Sequence, residues 1–157
     1  MIVKSLIEEL SQRSETVAVA ESITGGAIAA AITEIPGASK VFRGGMVVYA
    51  TDSKSSLLGL PPELIASRGV VSREVAIAMA DGVRSAFGAT WGIATTGVAG
   101  PGSHDGVVAG DVWIAVSGPV SEAEHLALGD IGRLEVRGGA VTSALALMSR
   151  ILGRHRV

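Results

Sequence analysis

The chain has 157 residues, 48% of them hydrophobic and 18% charged, which is the size of one domain that buries a core without disulfides or metals and excludes a disordered chain. Its formal charge of −2 argues against non-specific nucleic-acid binding, which rests on neutralising phosphates. No apolar run approaches the ~18 residues of a membrane-spanning helix.

Val3, Leu6, Ile7 and Leu10 recur at helical spacing and predict a first amphipathic helix. Residues 16–21 (TVAVAE) are short and β-branched, and read as a buried strand. Thr24-Gly25-Gly26 opens an Ala-rich helix to about Glu34, which Pro36-Gly37 ends. Residues 43–51 (RGGMVVYAT) read as a second strand, and Asp52 as the cap of a helix over 53–58 stopped by Gly59. Pro61 starts a short helix to about Ser67. Ser72 caps a longer one with Val75, Met79, Val83 and Phe87 on one face, closed by Gly88. Residues 90–96 (TWGIATT) form a third strand and 97–102 a glycine-rich loop. Two strands at 107–117 and 123–128, joined by Gly118-Pro119, predict a hairpin. A last long helix carries Val141, Ala144, Leu145, Met148, Ile151 and Leu152 on its stripe, with Arg137 on the same stripe. The basic stretch from Arg150 to Arg156 reads as a frayed, solvated tail.

Without repeats or linkers, this order predicts one domain over residues 1–157: a three-layer α/β/α sandwich with a mostly parallel, mixed sheet. The start of the chain has acidic Glu8 and Glu9 and no long apolar stretch, so no signal peptide is read and a cytoplasmic location is expected. The small-residue, hydrophobic composition favours a homo-oligomer, with a dimer preferred.

Ligands of open α/β sheets bind outside the carboxyl ends of the strands. Three such ends carry polar segments: Glu21–Gly26, Tyr49–Lys54 and Thr95–Gly102. Ser22 lies between a strand and a glycine-rich helix start, where free N–H groups hold a phosphate or an oxyanion. A helix N-cap is the commoner use of Ser22 or Thr24 there. A serine nucleophile needs a base. His125 lies on an exposed strand, His155 in the tail and His104 in a loop beside Asp105. The other base is Lys54, if burial lowers its pKa. Tyr49, five residues earlier, has a hydroxyl placed to relay a proton or orient Lys54. Thr96, Gly97, Gly100 and Gly102 form a loop suited to wrapping a phosphate or sugar with backbone amides. Arg137 offers a fork for a carboxylate or phosphate, or for a structural salt bridge. Arg133 stands one turn before it. The glycines match neither the dinucleotide fingerprint nor the ATP-binding loop. Cysteine is absent and the three histidines are dispersed, so thiol chemistry is excluded and no metal is expected.

Taken in order, E-S-x-T-G-G at Glu21–Gly26, P-G-[AS]-S at Pro36–Ser39, G-G-x-[VT]-x-Y-x-x-x-x-K at Gly44–Lys54, T-G-x-A-G-P-G at Thr96–Gly102 and G-x-V-W-I-A at Gly110–Ala115 resemble the CinA C-terminal domain family. Arg133-x-x-Val136-Arg137 is similar to its final-helix motif. Ile23 stands where that family often has Cys, and Asp111 where Thr is common. The resemblance implies hydrolysis of nicotinamide mononucleotide to nicotinic acid mononucleotide and ammonia. It implies no metal or organic cofactor, Ser22 as nucleophile, Lys54 as base and Tyr49 as its partner. Thr24, Gly25, Gly26, Thr96, Gly97, Gly100, Gly102 and Arg137 are the expected substrate-binding residues. The partner expected is a small pyridine nucleotide, with no nucleic acid and no membrane. A non-catalytic nucleotide-binding module in a competence- or DNA-damage-related assembly is the alternative.

Overall fold

The computed structural model describes residues 1–155. In chain order it has α1 (Ile2–Arg13), β1 (Val17–Glu21), α2 (Ala27–Thr33), a 3-10 turn (Ala38–Lys40), β2 (Phe42–Val47), α3 (Thr51–Leu58), α4 (Pro62–Arg68), α5 (Arg73–Phe87), β3 (Trp91–Gly97), β4 (Asp111–Ser117), β5 (Ser121–Ala127) and α6 (Arg133–Arg154). The sheet order is β2-β1-β3-β4-β5. β1 is parallel to both β2 and β3, whereas β4 is antiparallel to β3 and to β5. Four strands therefore run one way and only β4 is reversed, as a mostly parallel, mixed sheet requires.

All five residues of β1 are buried because the strand has a helix layer on each face. Val17 and Val19 join the core made with α1, α2 and α6, whereas Ala18 and Ala20 join the core made with α3 and α5. Successive side chains of a strand point to opposite faces, so VAVA places its larger residues on one side and its smallest on the other. The small side lets α5 approach closely: a Cβ at Gly92 of β3 would run into the Ala80 carbonyl.

Several boundaries differ from the sequence expectation for local reasons. β2 stops at Val47, and Val48 makes the last bond to its neighbour, its N–H donating to the Glu21 carbonyl at 2.9 Å. α3 starts at Thr51 without a side-chain cap, so Asp52 lies inside the first turn, where its charge suits the helix dipole. Ser72 does cap α5, its Oγ accepting from the Val75 N–H at 3.3 Å. The 107–117 strand is shorter than expected. It begins at Asp111, because His104 and Val107 bridge each other in a loop. β5 begins at Ser121, two residues early, because Ser121 pairs with Ser117 across the turn. Arg150 and Arg154 do not fray. α6 carries both, and they pair with Glu124 and Glu122 of the edge strand β5. Arg156 lies outside the described residues.

Candidate active site

Sheet register brings the three strand ends together. Glu21 sits between Val47 of β2 and Thr95 of β3, so Ser22 and Val48 leave the sheet just past that level, beside Thr96, which stays in β3 paired with Trp113. The Ser22 N–H donates to the Thr95 carbonyl at 3.1 Å, which fixes the serine at the mouth of the crevice.

Neither Ser22 nor Thr24 caps α2. The cap comes from Glu21, whose carboxylate accepts from the Ile28 N–H at 2.8 Å and the Ala29 N–H at 3.0 Å. Glu21 is itself buried, and those N–H groups satisfy an otherwise costly charge. Thr24 is fully buried and shares a 2.8 Å hydroxyl contact with Thr95. Ser22 is thereby left without a structural duty for its hydroxyl.

That hydroxyl meets Lys54. The Lys54 Nζ lies 3.1 Å from Ser22 Oγ, 2.8 Å from the Val48 carbonyl oxygen and 3.4 Å from the Tyr49 carbonyl oxygen. Lys54 is only 1% exposed, and burial pushes its pKa down from 10.5 to about 8. A neutral amine has two N–H groups and one lone pair. If the two carbonyls take the N–H groups, the lone pair faces Ser22 Oγ, which is the orientation a general base needs. Residues 48–54 supply the whole arrangement: the chain leaves β2, turns, and returns Lys54 under its own carbonyls.

Tyr49 does not place its hydroxyl where the expectation put it. Its ring is 61% exposed, and its hydroxyl accepts from Arg133 at 3.0 Å rather than meeting Lys54. Only its backbone carbonyl reaches the amine. Arg133 also donates to the Gly100 carbonyl at 2.8 Å, so this one guanidinium ties Tyr49 to the 97–102 loop. Arg137 donates to the carbonyls of Ile23 and Thr24, each at 3.1 Å. Its fork is spent on the backbone that follows Ser22, not on an acid partner.

A cavity of about 440 Å³ opens beside Ser22 and Lys54. Thr96 and Gly97 line it together with Ile23 and Tyr49. Gly100 and Gly102 line an adjoining cavity of about 310 Å³ against Tyr49 and Arg133. Gly25, Gly26, Thr24 and Arg137 line neither. One stretch of the lining was not foreseen from the sequence: Ile65, Arg68, Val70 and Val71 line the cavity, and Thr96 Oγ1 holds that segment by donating to the Val70 carbonyl at 2.8 Å. Arg68 in the last turn of a short helix looks like an ordinary charge at a helix C-terminus, and no local pattern distinguishes it. His104 and Asp105 also line the cavity, exposed and 3.4 Å apart. His125 instead pairs with Asp111 at 2.9 Å and packs on Trp113, which accounts for the acid at position 111. Among the described residues no cluster of three or more His, Asp or Glu could hold a metal.

The family model for the CinA C-terminal domain matches residues 1–152. The chain belongs to that family. A CinA-like protein of Frankia casuarinae is 50% identical over 143 residues, covering 91% of this chain and 33% of the relative. A CinA-like protein of Synechococcus is 46% identical over 147 residues, covering 91% of the chain and 35% of the relative. The chain thus spans about a third of the length of the curated relatives it matches. Among solved structures, the competence/damage inducible protein CihA of Agrobacterium tumefaciens superposes with a TM-score of 0.91 at 35% identity, covering 97% of this chain and 93% of that one. A CinA superfamily protein of Klebsiella pneumoniae gives 0.92 at 28%, covering 98% and 96%. CinA-family membership carries the α/β fold with it. Among the described residues no helix is long and apolar enough to cross a membrane.

Proposed function

We propose that this domain hydrolyses the carboxamide of nicotinamide mononucleotide to nicotinic acid mononucleotide and ammonia, with Ser22 as nucleophile and Lys54 as general base. The observation that carries the reading is the 3.1 Å approach of a buried, pKa-lowered lysine to the hydroxyl of Ser22 at the mouth of a cavity. A cavity of about 440 Å³ falls within the ~300–1,000 Å³ usual for small-molecule sites.

Lys54 Nζ takes the Ser22 hydroxyl proton as Oγ attacks the carboxamide carbon. The pyridinium nitrogen withdraws electrons from that carbon and makes it electrophilic. Its positive charge also disfavours a second positive charge nearby, which keeps Lys54 neutral in the complex. The oxyanion needs donors fixed in advance. Among the described residues the N–H groups of Ile23 and Thr24, immediately after the serine, have no protein acceptor, and they are the donors proposed here. The C–N bond then breaks, and ammonia leaves with the proton that Lys54 had taken. Water attacks the acyl-enzyme and gives a proton to Lys54, and the C–Oγ bond breaks. The product carboxylate departs and Ser22 regains its proton.

Ammonia release from nicotinamide mononucleotide by the purified, metal-free protein tests the reaction, with Ser22→Ala alongside. Release by the wild type and loss of at least about 10³-fold in the variant are expected. Equal release by both removes Ser22 from the mechanism. No release by a folded wild type that still binds the nucleotide moves the domain to the non-catalytic binding module.

A further inference from the structure

Resting on the amidase reading above, we propose that Arg68 is the phosphate-binding residue of the site and sets its preference for a nucleotide over the corresponding nucleoside.

A mononucleotide substrate brings a phosphate of nearly two negative charges into or beside the cavity, and a desolvated phosphate needs a cationic or N–H-rich partner. The helix start at Gly25-Gly26 is closed to it. α2 has only seven residues, and the Glu21 carboxylate already occupies its first N–H groups, so a second anion there would be repelled. Arg137 is closed as well, because its guanidinium is committed to the Ile23 and Thr24 carbonyls and does not line the cavity. Arg133 is bound to Gly100 and Tyr49. Lys54 faces the serine and must be neutral to act as base.

Arg68 differs from all of these. It lines the same cavity as Ser22 and Lys54. Among the described residues it makes no ion pair and no side-chain hydrogen bond, so its fork is available to a ligand. It belongs to the 65–71 stretch of the cavity lining, and Thr96 Oγ1 fixes that stretch to the end of β3 through the Val70 carbonyl. A nucleotide whose carboxamide lies at Ser22 extends its ribose and phosphate away from the reacting carbon, and a phosphate elsewhere on the same cavity has Arg68 within the lining to meet it. His104 lies on the same cavity, but the Asp105 carboxylate 3.4 Å from it opposes an anion there. Arg68 therefore supplies the unopposed positive charge, in a bidentate geometry suited to phosphate.

The test compares nicotinamide mononucleotide with nicotinamide riboside for wild type, Arg68→Ala and Arg68→Lys. A charge-assisted bond to phosphate corresponds to about 10- to 100-fold in binding. In Arg68→Ala the KM for the nucleotide is expected to rise by about that factor while kcat falls far less, and the nucleotide-over-nucleoside preference to collapse. Arg68→Lys is expected to recover part of the preference through its charge. Unaltered preference in Arg68→Ala overturns the proposal and leaves the amidase reading intact. If the wild type releases no ammonia from either compound, the amidase reading fails. Calorimetric titration of wild type and Arg68→Ala with nicotinic acid mononucleotide and its nucleoside then decides the rest. Tighter binding of the nucleotide, lost in the variant, supports the phosphate site, and equal binding of both compounds refutes it.

Discussion

Lys54 is the general base of the proposed mechanism, and its environment predicts a pH profile. A base works only when deprotonated, and burial lowers its pKa to about 8. On the proposed mechanism kcat/KM should rise with pH up to about 8 and then level off, since that ratio reports the free enzyme. A profile flat from pH 6 to pH 10 would remove Lys54 as the base. Arg137 gives a second test at this scale. Its two bonds hold the backbone just beyond Ser22, so Arg137→Ala should lower kcat about tenfold or more with a smaller change in KM. A phosphate ligand would show the reverse pattern, a raised KM with kcat retained. The segments that carry Ser22 and Lys54 were legible in the sequence because each follows a strand end, where α/β sheets keep their ligands, but the residues alone left Ser22 as a helix cap or a nucleophile and the base as Lys54 or a histidine. The use of the Tyr49 hydroxyl was not. Sequence spacing placed Tyr49 near Lys54, but the phenol points out to Arg133, a partner 84 residues away.

At the scale of elements, the cap of α2 shows what local rules miss. Ser22 and Thr24 sit where a capping residue is expected, yet the cap is the carboxylate of Glu21, the last residue of β1. Capping statistics concern the residue that immediately precedes the first helical turn, here Gly26, which has no side chain to offer. A loop that folds back on a strand end lets a residue seven positions earlier reach the same N–H groups, and that freedom leaves no trace in spacing. Glu21→Ala should therefore cost about 1–3 kcal/mol in unfolding free energy, as two N–H groups lose a charged acceptor. Denaturant titration measures it, and Thr33→Ala is the control, since that exposed hydroxyl only bonds back within its own helix. A loss no larger than the control's would mean that water replaces the carboxylate. The helices and strands themselves were legible, because apolar periodicity and Gly or Pro punctuation mark them. Their ends were less so: β4 starts four residues late because a His104–Val107 bridge folds the preceding segment on itself.

For the whole molecule, the burial that lowers the Lys54 pKa also works against folding. The lysine binds its proton with a pKa near 10.5 when unfolded and about 8 when folded. Between those values the unfolded chain holds more protons, so stability must rise with pH across the window. The shift corresponds to at most about 3 kcal/mol, withheld from the folded state below pH 8 and recovered by pH 10.5. Lys54→Met removes the titrating group and keeps much of the side-chain volume. Its unfolding free energy minus that of the wild type should be largest below pH 8 and shrink steadily towards pH 10.5. Comparing the two proteins cancels the contributions of all other groups that the two share. Chemical denaturation at a series of pH values from 6 to 11 gives the difference directly. Parallel curves would mean that Lys54 titrates alike in both states, and a lysine with an ordinary pKa would be a poor base for Ser22 at neutral pH. A converging pair would show that burying Lys54 leaves the fold weaker than it need be, the relation expected where the proposed base sits in an active site.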